Sequence, residues 1–318
     1  MEIIASSVVD AVKRAISALQ SDGVDVPRHV GPWTLKTDTV MNLREIHGLQ
    51  IIIPHTSSAN RWHNYVSRGQ VLEFFDLIGF ENPGFLHHLW PFYRQWLDRS
   101  GTYPYTYGQR LAGYSYEVNQ WKQAVRMLRQ DPTTRHVYLV IRRPGDLIEE
   151  YQPCSLGVFF QLNSEKELDM HWYMRSNDVA VGGLARNLFI NLHIMEQMCY
   201  ATGLPMGDYY HYDANVHFYE DDVTKIGDLS RTIISCPFPS STDQTILLTD
   251  THKSKIRGLM FRFFETHLPV TEMDVDRALP RKEGGYYHSL LKFVLSLPMD
   301  QEDIIELRWL KSLEAKKQ

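Results

Sequence analysis

Apolar residues recur every three to four positions near the start of the chain. Val8, Val12, Ile16 and Leu19 line one side of a helix over residues 5–20, which Asp22-Gly23 closes. The period then changes. Ile46 to Ile53 is an apolar, β-branched run ending at Pro54, the composition of a buried strand. Val71 to Gly79 returns to helical spacing, with Glu73 set among Leu72, Phe74, Phe75 and Leu77, and Phe85 to Leu97 is an aromatic-rich helix. Tyr116 to Gln130 places Val118, Trp121, Val125 and Leu128 on one helix face and stops at Asp131-Pro132. Val137, Leu139 and Ile141 alternate as a strand does, and Leu156, Val158, Phe160 and Leu162 do so again. The turn Asn163-Ser164-Glu165-Lys166 leads to another strand, Leu168 to Met174. Leu188, Leu192, Met195 and Cys199 then make Asn187 to Ala201 a buried helix with Gly203 just beyond. Past Tyr219 the pattern weakens. Leu229 to Phe264 reads as mixed strand and loop, and Tyr286 to Leu297 and Asp303 to Leu313 as amphipathic helices separated by Pro298.

This succession predicts an α/β (α+β) fold, a central and mostly antiparallel sheet flanked by helices. Residues 1–222 form the expected core with its N-terminal helix. Residues 223–318 form a C-terminal elaboration of strand and loop followed by helices, packed on that core. With 318 residues, 43% of them hydrophobic, the chain can bury one large core or two smaller ones. The net charge of −5 implies no basic face, which disfavours nucleic acid as a partner while leaving room for a local arginine to hold one phosphate. Cys154, Cys199 and Cys236 are a sparse, odd set without metal-ligand spacing; they argue for reduced thiols, a cytoplasmic setting and no metal. No apolar run approaches a membrane span and the N-terminus lacks a signal-peptide pattern, so no membrane is expected either.

The candidate chemistry gathers between Tyr151 and Tyr219. Gln152-Pro153-Cys154 opens the strand that carries Leu156 to Leu162, which puts a thiol at a strand mouth. The next strand ends on Met174-Arg175-Ser176-Asn177-Asp178, so a hairpin brings Arg175 back towards Cys154. A cationic neighbour lowers a thiol pKa and makes a thiolate nucleophile available. Taken singly these residues have plainer readings: an isolated cysteine is most often core filling, an Arg before a strand is most often a solvated charge, and a His-x-Tyr on a strand packs or faces water.

Together they carry more. A Pro-Cys at a strand start, Arg-Ser-x-Asp about twenty residues later, a helix opening on Asn, and Val216-His217-Phe218-Tyr219 beyond it resemble the thymidylate synthase family. The resemblance covers roughly residues 30–222. The wording Met-Arg-Ser-Asn-Asp-Val is most similar to that of the family's pyrimidine-nucleotide hydroxymethylases. The run Glu73, Leu77, Gly79, then Tyr107-Gly108-Gln109-Arg110, is similar to the family's Glu-x-x-x-x-Leu-x-Gly and Tyr-Gly-x-Arg, with the first spacing one residue shorter here. The family's Asp-Pro-x-Ser-Arg-Arg appears as Asp131-Pro132-Thr133-Thr134-Arg135-His136, keeping the first arginine and replacing the second. In the family, a loop near residues 27–42 brings an arginine to the phosphate; here Lys36 is the nearest cation before the strand and Arg44 falls within it, and the resemblance assigns the role to neither.

The resemblance implies roles. Cys154 adds to carbon 6 of a pyrimidine ring, Glu73 handles proton transfers through water, and Tyr107 helps remove the carbon 5 proton. Arg175 and Ser176 hold the nucleotide phosphate, with Arg135 reaching across a homodimer formed through the sheet face. Asn187 reads the base edge, provided one residue is inserted near Gly182-Gly183; without the insertion the position is Arg186. His217 and Tyr219 hold the sugar hydroxyl, and Asp178 hydrogen-bonds the pterin of 5,10-methylenetetrahydrofolate, the implied one-carbon donor. Asn187 suits uracil, so dUMP is favoured, with dCMP or CMP as alternatives. Met174, Asn177, and a Ser155 expected to be small and hydrated favour a hydroxymethyl product, as does the lack of the synthase closing peptide after Leu313. Methylation of dUMP is the alternative. Two readings from other classes are an inactive homologue that binds nucleotide or RNA, and a cysteine hydrolase built on Cys154 and His217, which lacks a Gly-rich nucleophile turn.

Overall fold

A computed structural model describes residues 1–29, 40–55, 73–74, 97, 103, 105–112, 118–149, 152–179, 183–219, 248–266, 270–280, 287–288 and 291–292. The expected aromatic helix with Trp90 and Trp96, Lys36, Cys236, the 222/223 boundary and the last helix lie outside these residues. The elements in order are β1 (Glu2–Ile4), α1 (Val8–Asp22), β2 (Val24–His29), β3 (Val40–Ile53), α2 (Tyr107–Ala112) and α3 (Gln120–Gln130). They are followed by β4 (Tyr138–Val140), β5 (Ser155–Leu162), β6 (Leu168–Met174), β7 (Asn177–Asp178), α4 (Gly183–Thr202), β8 (Met206–Tyr219), α5 (Asp250–Thr266) and α6 (Glu272–Ala278). Two compact units share this chain. One comprises residues 1–66, 124–195 and 202–238; the other comprises 67–123, 196–201 and 239–318.

The first unit is built on an eight-stranded mixed sheet in the order β1-β3-β8-β6-β5-β4, with β2 on β3 and β7 on β8. The β2–β3, β3–β8, β4–β5 and β5–β6 pairs are antiparallel, whereas β1–β3, β6–β8 and β7–β8 are parallel. Helix α1 starts on Ser7, whose side chain accepts from the Asp10 backbone N–H, and it buries Val8, Ala11, Val12, Ala15, Ile16 and Leu19. Arg44 is a structural residue here. Its Nε donates to Leu19 O at 2.7 Å and its Nη2 to Gln20 O at 3.1 Å, tying the last carbonyls of α1 to the sheet.

Strand β5 departs from simple alternation. Ser155 pairs with Met174 and Gly157 with Tyr173, leaving Leu156 as the extra residue of a bulge. Leu156 is therefore turned out, contrary to its expected place with the buried Val158 and Phe160. A Cβ at Gly157 would lie 2.8 Å from Leu139 O, so the bulge needs glycine there. Val118 is also exposed, because α3 begins only at Gln120. Helix α4 begins at Gly183, four residues ahead of the expected start.

The two faces of this sheet differ. Met170, Trp172 and Met174 point into the core, while His171 and Tyr173 point out. On the outer face the His171 ring stacks on Tyr210 at 4.5 Å and Tyr173 on Tyr212 at 4.7 Å, an aromatic ladder with Tyr173 exposed.

In the core, α4 carries His193, wholly buried, whose Nδ1–H donates to Phe189 O at 2.7 Å. Burial holds its pKa down at about 4, against an ordinary 6.5. A histidine depressed in the folded state contributes stability above pH 6.5 that is lost as the pH falls towards 4. Replacing His193 by Gln should flatten the decline of unfolding free energy over that window in urea titrations, by up to about 3 kcal/mol. An unchanged acid limb would count against a neutral buried His193.

In the second unit, residues 73–74 are helical, with Phe74 buried and stacked at 5.4 Å on Tyr287. The Tyr287 hydroxyl donates to Glu196 Oε2 at 2.8 Å and accepts from Gln197 Nε2 at 3.1 Å, and Gln197 Oε1 accepts from Leu248 N at 2.9 Å. The stretch after Leu229, expected as strand and loop, contains a helix instead. Ile256, Leu259 and Met260 of α5 are buried at helical spacing, and α6 follows with a capping box between Thr271 and Asp274. Among the described residues no helix is long and apolar enough to cross a membrane.

Candidate active site

The β5–β6 hairpin brings Cys154 and Arg175 together. Arg175 N donates to Cys154 O at 2.9 Å, which closes the hairpin mouth. Its side chain then folds back along the strand entry, with Nε donating to Pro153 O at 3.1 Å and Nη2 to Gln152 O at 3.2 Å. A guanidinium suits this use, because its fork reaches two carbonyls at once. From the other side Arg142 Nη2 donates to Gln152 Oε1 at 2.5 Å.

The half-buried Cys154 thiol sits above its ordinary pKa. Burial raises it most, Arg175 pulls it down, Asp213 raises it, Arg142 lowers it and Asp178 raises it. The expected thiolate-favouring effect of Arg175 is present, but desolvation outweighs it. Ser155 departs further from expectation. It is buried, and its Oγ accepts from Trp172 Nε1 at 3.0 Å on the core side of the strand, so it is not a hydrated neighbour of the thiol.

Strand β7 places the next group. Asp178 pairs with His217 and Asn177 with Val216, and Val179 N donates to His217 O at 2.9 Å. On the other side of β8, Glu45 of β3 pairs with His217. The buried Glu45 is held by Arg28 in a two-pronged bond, Nε to Oε1 at 2.9 Å and Nη2 to Oε2 at 2.8 Å, which takes its pKa down to about 2. His217 Nδ1 lies 2.8 Å from Asn215 Oδ1, and burial lowers its pKa to about 4. At neutral pH the ring is therefore uncharged, with Nδ1–H given to Asn215 and the Nε2 lone pair available to accept from a hydroxyl. Tyr219 meets this ring edge-on at 5.5 Å.

Helix α4 starts hard against β7. A Cβ at Gly183 would stand 2.6 Å from Asp178 O and 3.3 Å from Asn177 Oδ1, so glycine lets the helix approach. One turn on, the half-buried Asn187 donates from Nδ2 to Asn177 Oδ1 at 3.1 Å, while Arg186 is buried. Ser176 is half-buried and Asp178 likewise. Arg135 is exposed on the loop that enters the edge strand β4. In the second unit, Glu73 is half-buried beside Phe74, and Tyr107 opens α2 with its ring 6.0 Å from that of Tyr105, over which Arg110 sits at 5.2 Å.

Several neighbours were not singled out from sequence: Arg28, Glu45, Arg142, Asn215, His211 and Asp213. Part of the signal was there. Tyr209, His211 and Asp213 fall on the buried phase of β8, so polar residues recur at period two where apolar ones are expected. Among the described residues, no group of His, Cys, Asp and Glu could hold a metal ion.

The family model for thymidylate synthase matches residues 80–265, more than half of the chain. The chain is 30% identical to the deoxyuridylate hydroxymethyltransferase of Bacillus phage SP01 over 159 residues, 46% of this chain and 41% of that protein. It is 32% identical to a putative thymidylate synthase of Methanopyrus kandleri over 122 residues, 38% of this chain and 57% of that protein. These matches thus span about half the length of the curated relatives. Thermostable thymidylate synthase A from Bacillus subtilis shares the fold, with a TM-score of 0.60 at 17% identity over 77% of this chain and 90% of that chain. The order Cys154, Arg175, Asp178, Asn187, His217, the sheet and helix that seat them and the match over residues 80–265 have one common reading: the chain belongs to the thymidylate synthase family.

Proposed function

We propose that this chain transfers a one-carbon unit from 5,10-methylenetetrahydrofolate to carbon 5 of a pyrimidine nucleoside monophosphate, dUMP in preference to dCMP or CMP, and releases the 5-hydroxymethyl nucleotide. The observation that carries the reading is the clamp of Arg175 on the two carbonyls that precede Cys154. It sets a cation beside a thiol at a strand mouth, with a second face left for phosphate, which Ser176 also serves. The Cys154 sulfur adds to carbon 6 and carbon 5 becomes the nucleophile. Carbon 5 bonds to the methylene carbon, its proton leaves with help from Tyr107 and water held by Glu73, and tetrahydrofolate departs. Water then adds to the exocyclic methylene as the sulfur–carbon 6 bond breaks and the ring double bond returns. His217 Nε2 and the Tyr219 hydroxyl bind the sugar, Asn187 the base edge and Asp178 the pterin. Asp178 fits that donor-rich ring as a half-buried carboxylate close enough to Cys154 to raise its pKa. The aromatic ladder on the outer sheet face supplies the apolar surface for a homodimer, across which Arg135 reaches the partner's phosphate.

Similarity to two phage deoxyuridylate hydroxymethyltransferases, those of Bacillus phage SP01 and Pseudomonas phage M6, supports the hydroxymethyl product. So does the wording at Met174 and Asn177. The comparable identity to the putative thymidylate synthases of Methanopyrus kandleri and Methanosarcina mazei favours the second reading, methylation to dTMP. Incubation with dUMP and the folate separates them. The expected product is 5-hydroxymethyl-dUMP by mass with tetrahydrofolate, whereas dihydrofolate absorbance rising in step with nucleotide consumed would establish methylation. Absence of tritium release from carbon-5-labelled dUMP and dCMP would point to a homologue that only binds.

A further inference from the structure

Behind the base-reading position runs a buried polar chain. Asn187 donates from Nδ2 to Asn177 Oδ1 at 3.1 Å. Asn177 Nδ2 faces His211 Nε2 at 3.2 Å and Asp213 Oδ2 at 3.4 Å. His211 Nε2 and Asp213 Oδ2 are 3.1 Å apart, both side chains fully buried. The other ring nitrogen, Nδ1, is 2.6 Å from the Tyr209 hydroxyl, which accepts from Asn191 Nδ2 at 3.0 Å. The second carboxylate oxygen, Asp213 Oδ1, is buried and finds no hydrogen-bond partner among the described residues. Such a group is retained at a penalty, which points to a use.

The hydrogen-bond polarity of this chain has one solution at its outer end. A carboxylate only accepts. If His211 Nε2 carries the proton it donates to Asp213, and Asn177 Nδ2 donates to Asp213 as well. If Nε2 is bare, it accepts from Asn177 Nδ2. In both cases Asn177 turns its amide nitrogen towards the His211–Asp213 pair and its oxygen towards Asn187. Asn187 must then present its nitrogen to Asn177, which fixes which way its amide faces. That choice matters chemically. A primary amide matches uracil when its oxygen accepts from N3–H and its nitrogen donates to O4. Rotated by half a turn, the same amide matches cytosine, donating to N3 and accepting from N4–H. An amide free to rotate reads both.

We propose that Asp213, acting with His211 through Asn177, is the positioning residue that locks the Asn187 amide in one orientation and so sets the discrimination between uracil and cytosine nucleotides. The inference rests on Asn187 reading the base. The test is calorimetric binding of dUMP and dCMP to the full chain, which needs no turnover. Asp213→Asn removes the acceptor-only group, and Asn177→Ala cuts the connection while leaving the His211–Asp213 pair. Each should reduce the wild-type preference between the two nucleotides by about tenfold, and the double variant by no more than either alone. A merely structural role would weaken both nucleotides equally and leave the ratio unmoved. A ratio unchanged within about twofold in whichever of these variants folds, while Asn187→Ala abolishes the preference, overturns the lock but spares the base-reading assignment. A ratio that survives Asn187→Ala overturns that assignment and the lock with it.

Discussion

Cys154→Ser should abolish turnover, by at least about 10⁴-fold, and leave nucleotide binding nearly intact. The hydroxyl is close in size to the thiol it replaces, so the hairpin mouth keeps its shape. The bonds that define it, Arg175 N to Cys154 O and the guanidinium to Pro153 O and Gln152 O, involve backbone oxygens that the substitution does not touch. What is lost is the proposed nucleophile. A serine hydroxyl is far less acidic than a thiol, and the surroundings that push even the Cys154 thiol upward would oppose alkoxide formation still more strongly. Binding of dUMP followed by calorimetry, beside product formation by mass spectrometry, separates the two effects. Residual turnover above a hundredth of wild type would rule out covalent catalysis through this residue.

Arg175→Ala should lower kcat/KM by about a thousandfold and move the ascending limb of its pH profile to higher pH. The sign follows from the surroundings of the thiol. Burial raises the Cys154 pKa, and Arg175 is the leading influence that pulls it back. Removing that cation leaves burial, Asp213 and Asp178 acting against the weaker pull of Arg142, so the thiol climbs further and a given thiolate fraction requires more alkaline solution. Arg175→Lys should recover part of the shift, since it returns the charge, but not the full rate, since an ammonium cannot span the carbonyls of Gln152 and Pro153. A pH limb that stays in place in Arg175→Ala would show that Arg175 serves the phosphate and not the thiol.

Local periodicity carried much of the fold. The alternation of Val137, Leu139 and Ile141 and the helical spacing from Val8 to Leu19 appear in the structure as read, because one-sided burial imposes those periods directly. Leu156 and Val118 were misplaced for the same reason in reverse. A bulge and a late helix start change the phase without changing the composition, and neither leaves a mark in the hydrophobic pattern. Helix α5 was missed because charged residues such as Lys253, Lys255, Arg257 and Arg262 interrupt its apolar spacing. At the site, the neighbourhood of Cys154 and Arg175 was legible, since the turn at Asn163 to Lys166 fixes the hairpin between them. Partners on distant strands were not. Glu45 meets His217 only through the β3–β8 register, and Asp213 reaches Asn177 only because β6, β7 and β8 run parallel. Whether a cation or burial governs the thiol likewise depends on packing that no spacing rule encodes.

Helix α4 is a single uninterrupted stretch from Gly183 to Thr202, yet its first part belongs to one compact unit and residues 196–201 to the other. The same six residues include Glu196 and Gln197, whose hydrogen bonds reach Tyr287 and Leu248, far along the chain. Neither unit is therefore a cassette. A genetic exchange that replaced residues 239–318 would strand a buried carboxylate and a buried amide in the middle of a helix retained from the parent, so that stretch and residues 196–201 must change together.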